Sequence, residues 1–163
     1  MKTTNYFVMF VFMISILACN TEVKKEDTNQ SAEAVVEEVK EKTIYEKIGG
    51  AEGVSEIVDE IVAEHLKNEN IKHYFEPLAA NEEHMNQFKK HVRDFLGVGT
   101  GGSEQYQGRD MVGAHKGLKI SEADFLYAID DILLVLDRRK VDRASRNELL
   151  ATLYSMKSAV IGQ

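Results

Sequence analysis

The sequence predicts an all-α domain, and three observations point that way. Beyond Thr43 the apolar residues recur at three-to-four-residue spacing, no alternating strand pattern of useful length interrupts them, and glycines punctuate the joints. The chain has 163 residues, 44% hydrophobic and 29% charged, with one Pro, which suits a single globular domain with an ordinary core. A formal charge of −7 and the lack of a basic patch with interleaved aromatics argue against a nucleic-acid binder. One Cys excludes an internal disulfide framework and a cysteine-rich zinc site.

The N-terminus is set aside from the fold. Lys2 precedes the apolar run Tyr6–Ala18, whose 13 residues fall short of the roughly 20 that span a bilayer. The run ends in "ILAC" at Cys19, the lone cysteine, and resembles a bacterial lipoprotein signal (residues 1–18) cleaved before a lipidated Cys19. An uncleaved anchor or a plain secretion signal is the alternative. In each case the domain lies outside the cytoplasmic membrane, in the cell envelope. Residues 19–42 hold no aromatic and are mainly charged and polar, so they bury too little surface to fold alone and read as a tether. The domain proper is 43–163.

Four long helices follow. Residues 54–66 place Val54, Ile57, Val58, Ile61, Val62 and Leu66 on one face, and 84–96 do the same with Met85, Phe88, Val92, Phe95 and Leu96. Residues 121–139 open with Ser121 and Asp124 in capping positions, and 145–161 with Ser145 and Glu148 as a capping box. Between the second and third of these lies a Gly-rich loop, residues 97–108, and then a short helical run through "GRDMVGAHKGLKI". In that run Met111 and Leu118 share a helical face with His115. A short helix between flexible segments draws little stability from itself, so a bond through His115 would help to fix it.

Of the five histidines, at 65, 73, 84, 91 and 115, none belongs to an HExxH motif, and no Ser or Cys sits in a nucleophile elbow. Catalysis by side chains alone is therefore poorly supported. His91 shares a face with Phe88 and Phe95, and His115 shares one with Met111. Each read singly is a hydrogen-bonded core imidazole. Two of them on separate helices can clamp a flat apolar cofactor whose metal takes imidazole, and haem fits that description. Lys89, Lys90, Arg93, Arg109 and Lys116 would stand at its rim, where carboxylates need cations; taken singly, each reads first as part of a solvated helix face.

The motifs "IYEKIGG" (44–50), "HYF" (73–75), "MNQFKKHVRDFL" (85–96), "TGGSEQYQGRDM" (100–111) and "AHKGLKI" (114–120), in this order and spacing, resemble the group I truncated haemoglobins. The resemblance runs from about Thr43 to Gln163. It implies a two-over-two helical sandwich around haem b, with "IYEKI" as a very short first helix and residues 97–108 as the loop before the proximal ligand. The proximal iron ligand falls on His115, whose other ring nitrogen would donate to a carbonyl one turn earlier. The haem-wedging phenylalanine falls on Phe75. Val62, Phe88, Val92, Phe95, Met111, Arg109 and Leu118 complete the implied haem environment.

The departures are informative. Val62 stands where relatives commonly carry a distal tyrosine, and Val92 and Phe88 where they carry glutamine. Distal donors stabilise a polarised gas ligand by roughly 1.5–3 kcal/mol each, or about ten- to hundredfold in affinity. His91 is the one obvious donor left, at the position from which some relatives ligate iron directly. The resemblance thus implies a haem protein that reversibly binds O2, NO or CO, six-coordinate at rest through His115 and His91, or five-coordinate with His91 swung out. The histidine that forms a covalent haem link in some relatives is absent from "YSMKSAVIGQ", so the haem should be extractable. Alternatives are a bis-histidine electron-transfer protein or an NO-detoxifying dioxygenase, either one served by a reductase, and lastly a haem-free helical lipoprotein. Residues 76–84 read as an insertion of uncertain register.

Overall fold

A computed structural model describes residues 40–163; the expected signal, the lipidation site at Cys19 and nearly all of the tether lie outside the described residues. Eight α-helices and one 3-10 turn follow each other, and no strand occurs among the described residues. Helix α1 (Ile44–Lys47) is nucleated by a capping box: Thr43 Oγ1 accepts from the Glu46 N–H at 3.2 Å and Glu46 Oε2 from the Thr43 N–H at 2.9 Å. Gly49, at φ 101°, turns the chain directly into α2 (Gly50–Lys67). Gly53 then lets α1 close down: a Cβ there would overlap the Ile48 carbonyl oxygen and lie 2.7 Å from its carbonyl carbon.

Helix α2 is the centre of the molecule. It buries Val54, Ile57, Val58, Ile61 and Val62, as the periodicity predicts, and also His65. It packs against α4 (Glu82–Gly99) and α6 (Glu122–Arg138), and α6 in turn packs against α7 (Arg143–Ser155). Two packed pairs, α2–α4 and α6–α7, are thereby joined through the α2–α6 contact. Arg139 reinforces that contact from the solvent side, donating to Glu60 at 2.9 Å and Glu56 at 2.6 Å. The cap on α6 matches expectation, with Ser121 Oγ accepting from the Asp124 N–H.

Three sequence expectations need correction. The run 145–161 is not one helix. It divides at Met156 into α7 and α8 (Lys157–Val160), and α7 starts earlier, capped by Asp142, which accepts from the Ala144 and Ser145 N–H groups and the Ser145 hydroxyl. Ser145 and Glu148 therefore form no capping box; Ser145 serves instead as the buried donor to the true cap. The break carries no Pro or Gly, and α8 turns off to pack against α5 (Met111–His115). Residues 76–84, read as an insertion, hold α3 (Glu76–Ala79), with Pro77 in its first turn, and the start of α4; a 3-10 turn at Lys72–Tyr74 precedes them. Finally, α5 ends at His115. Leu118 lies beyond it, donates its N–H to the His115 carbonyl and is 41% exposed, so it does not share a helical face with His115.

Candidate functional site

The short helix α5 carries His115 and buries none of its five residues, so its position must come from elsewhere. Asp110 caps it, accepting from the Gly113 N–H at 2.6 Å, and α8 packs against it. The chain after α5 is pinned as well, because Lys119 donates to the Gln163 carbonyl and Gly162 to that of Ile120, both at 2.9 Å. His115 Nδ1 lies 2.7 Å from the Met111 carbonyl oxygen. A carbonyl only accepts, so Nδ1 carries a proton, and in the neutral ring the lone pair is on Nε2. That is the nitrogen a metal would take.

Helix α4 supplies a second wall. It is strongly amphipathic and 18 residues long, yet Gly97 alone is buried. Met85, Phe88, Val92 and Leu96 rest against the core centred on α2 but are only partly buried, as is Phe95. An apolar helix face left so open has more surface than its protein partners cover. Phe75 stands beside it, its ring 6.0 Å from that of Phe88 and tilted by 58°. Val62 is nearly fully buried and brings no hydrogen-bond donor.

His91 belongs to this wall. Its Nδ1 is buried and has no hydrogen-bond partner among the described residues, which is unusual for a polar atom removed from water. Its ring meets Tyr106 edge-on at 6.1 Å, and Phe95 meets the same tyrosine at 5.4 Å. Tyr106, which sequence reading passed over, thus fastens the loop before α5 to α4, and its hydroxyl donates to the Arg109 carbonyl at 2.6 Å. The loop is held a second time by Tyr45, whose hydroxyl donates to Glu104 and whose N–H donates to the Thr100 carbonyl at 2.9 Å. The Glu104 hydrogen bond pushes the Tyr45 phenol above its ordinary value. Both tyrosines sit in or near motifs visible in the sequence, but only the fold shows what they touch.

The cations expected at the rim divide into two groups. Lys89 pairs with Asp59 at 3.0 Å, Lys90 with Asp94 at 2.6 Å, and Arg93 reaches Ser55 at 3.3 Å. Those three already have protein partners. Arg109 and Lys116 are exposed and make no salt bridge among the described residues.

Among the described residues no three His, Cys, Asp or Glu side chains come together as a metal site. Isolated imidazoles suit a metal whose other ligands come from a macrocycle. An under-covered apolar helix face, a free imidazole nitrogen on α5 and an unpartnered imidazole nitrogen on α4 all fit a flat, apolar, iron-bearing group.

Known proteins share this fold. The family model described as bacterial-like globin matches residues 43–161. A group 1 truncated hemoglobin from Tetrahymena pyriformis is 29% identical over 124 residues, covering 76% of this chain and 98% of that one. One from Tetrahymena thermophila is 32% identical over 97 residues, covering 60% and 76%. The solved Fe(III) form of the Tetrahymena pyriformis protein superposes with a TM-score of 0.67 at 30% identity, covering 75% of this chain and all of that one.

Proposed function

The chain belongs to the bacterial-like globin family and is a haem-binding globin of the group 1 truncated type, and from that premise we propose that His115 is its proximal iron ligand and His91 its distal imidazole. The observation that carries this reading is the His115–Met111 hydrogen bond, which fixes the tautomer and leaves Nε2 as a lone-pair donor. Haem b, when bound, supplies an iron centre that takes up O2, NO or CO reversibly. The protein's part is to hold it, dry one face and decide what can hydrogen-bond there.

Phe75, Phe88, Val92 and Phe95 present apolar surface to the cofactor, and Met111 lines it from α5. Val62 brings no hydroxyl to the distal side. The unpartnered Nδ1 of His91 makes this residue the one ready source of a distal bond, either to iron or to a gas. If His91 ligates iron at rest, gas binding requires it to leave, and affinity falls by the fraction of time the site is closed. Arg109 and Lys116, which have no carboxylate partner among the described residues, would meet the haem carboxylates. Such a protein suits sensing, scavenging or delivery of a gas more than bulk storage. Lipidation at Cys19 would hold it in the cell envelope through the tether of residues 19–42.

The same unpartnered imidazole favours a second reading, electron transfer by two-imidazole iron supplied by a reductase. Visible spectra of the full-length protein in mild detergent separate the two readings. Low-spin ferric and ferrous bands that become high-spin in His91→Ala would establish two-histidine ligation. An unchanged spectrum in His115→Ala would overturn the proximal assignment. Rapid O2 exchange with slow oxidation would favour the gas binder, and fast oxidation the redox protein.

A further inference from the structure

A polar cluster around one buried imidazole lies outside the residues assigned above. His65, on the apolar stripe of α2, is 6% exposed, and its Nδ1 lies 2.9 Å from Asp131 Oδ2 on α6. Asn68 Nδ2 donates to both oxygens of the same carboxylate, at 3.0 and 3.1 Å. The imidazole is therefore held along one edge, and its face lies flat against Phe75, with ring centroids 4.7 Å apart and planes 23° from parallel. Burial pushes the imidazole below its ordinary pKa, and Asp131, with Glu64 behind it, only partly reverses this. The ring is neutral near pH 7, with its proton on Nδ1 toward the carboxylate.

Val or Leu would fill a stripe position on α2 without burying an imidazole and partly burying the two polar side chains that hold it, which has a desolvation cost. What a hydrogen-bonded imidazole provides, and a branched aliphatic does not, is a plane of fixed orientation. That plane is turned to Phe75, whose other aromatic ring neighbour among the described residues is Phe88. We propose that His65, oriented by Asp131 and Asn68, is a positioning residue that fixes the plane of the Phe75 ring and thereby the seat of the haem. The haem part rests on the assignment of Phe75 to the cofactor; the ring-positioning part does not.

A double-mutant cycle with His65→Leu and Phe75→Leu tests this on the full-length protein, reading the rate of haem transfer to excess haem-free acceptor globin. A stacked ring pair is worth about 0.5–1.5 kcal/mol, so His65→Leu should speed transfer about two- to tenfold, and should add nothing once Phe75 is Leu. Equal acceleration in both backgrounds, or none in the first, would overturn the proposal. In the haem-free protein, 13C-labelled phenylalanine reports the Phe75 ring shift, which His65→Leu should move; an unmoved shift also overturns it. If the wild-type protein takes up no haem, the functional assignment fails and the ring shift alone decides the positioning role. Should His65→Leu not fold, Asp131→Asn takes its place, with a smaller acceleration in the same direction.

Discussion

Replacing Gly53 by Ala sets two effects of opposite sign against each other, and the structure says which wins. Within an α-helix, Gly→Ala ordinarily stabilises by about 1 kcal/mol. Here the new methyl would overlap the Ile48 carbonyl oxygen and press on its carbon, and both are backbone atoms that cannot swing aside. Helix α1 has only four residues and is held to α2 by Ile44 and Ile48, which are 8% and 9% exposed. Moving it away exposes both, at up to about 1.5–3 kcal/mol each. Subtracting the propensity gain leaves a net loss of about 2–5 kcal/mol, which at a slope of about 2 kcal/mol per M is a urea midpoint lower by about 1–2.5 M. The loss should also reach the candidate haem site, because Tyr45 on α1 holds Glu104 in the loop before α5. Gly99→Ala is the control: a Cβ there meets nothing within 4 Å, so stability should hold or rise slightly. A Gly53→Ala midpoint equal to or above that of the wild type would refute the steric reasoning.

Asp110→Ala removes the cap of α5 and should raise the frayed population of the His115 helix about fivefold, for a cap worth about 1 kcal/mol, with haem transfer accelerating in proportion and Asp110→Ser restoring it. His65 gives a pH signature. Its folded pKa lies below the ordinary 6.5, so the unfolded chain binds the extra proton first, and stability should be full above about pH 6.5 and fall as pH drops through the folded value. Urea titrations across that window should lose this slope in His65→Gln. The lowered carboxyls of Asp124, held by Ser121, and Asp142, held by Ser145, act only below their ordinary 3.8 and leave the window clear.

Most of the helical framework was legible because burial follows the 3.6-residue period. Val54, Ile57, Val58, Ile61 and Val62 are the core of α2, and Phe125, Ile129 and Leu136 of α6. The cap at Ser121 and the Gly-rich loop were legible from local chemistry as well, although the loop begins at Thr100 and not at Gly97, because α4 runs on through Gly99. The division at Met156 was not, since no local breaker marks it and the packing of α8 on α5 determines it. The Leu118 register failed because a helical face was extended past the point where the chain leaves the helix. At the site, the residue types of His91 and His115 were readable, and so was their separation on two helices.

The sequence by itself determined the fold class, the central stripe on α2 and which imidazoles were available, because these depend on spacing along one chain. The carbonyl that His115 meets, one turn earlier in its own helix, was likewise within reach of the sequence. Only the tertiary structure decided that His91 keeps an unpartnered nitrogen, and that His65 faces Phe75 while bound to Asp131, 66 positions away. Hydrogen-bond partners and ring faces are short-range and directional. Residues far apart in sequence acquire them only when α2, α4 and α6 are brought together.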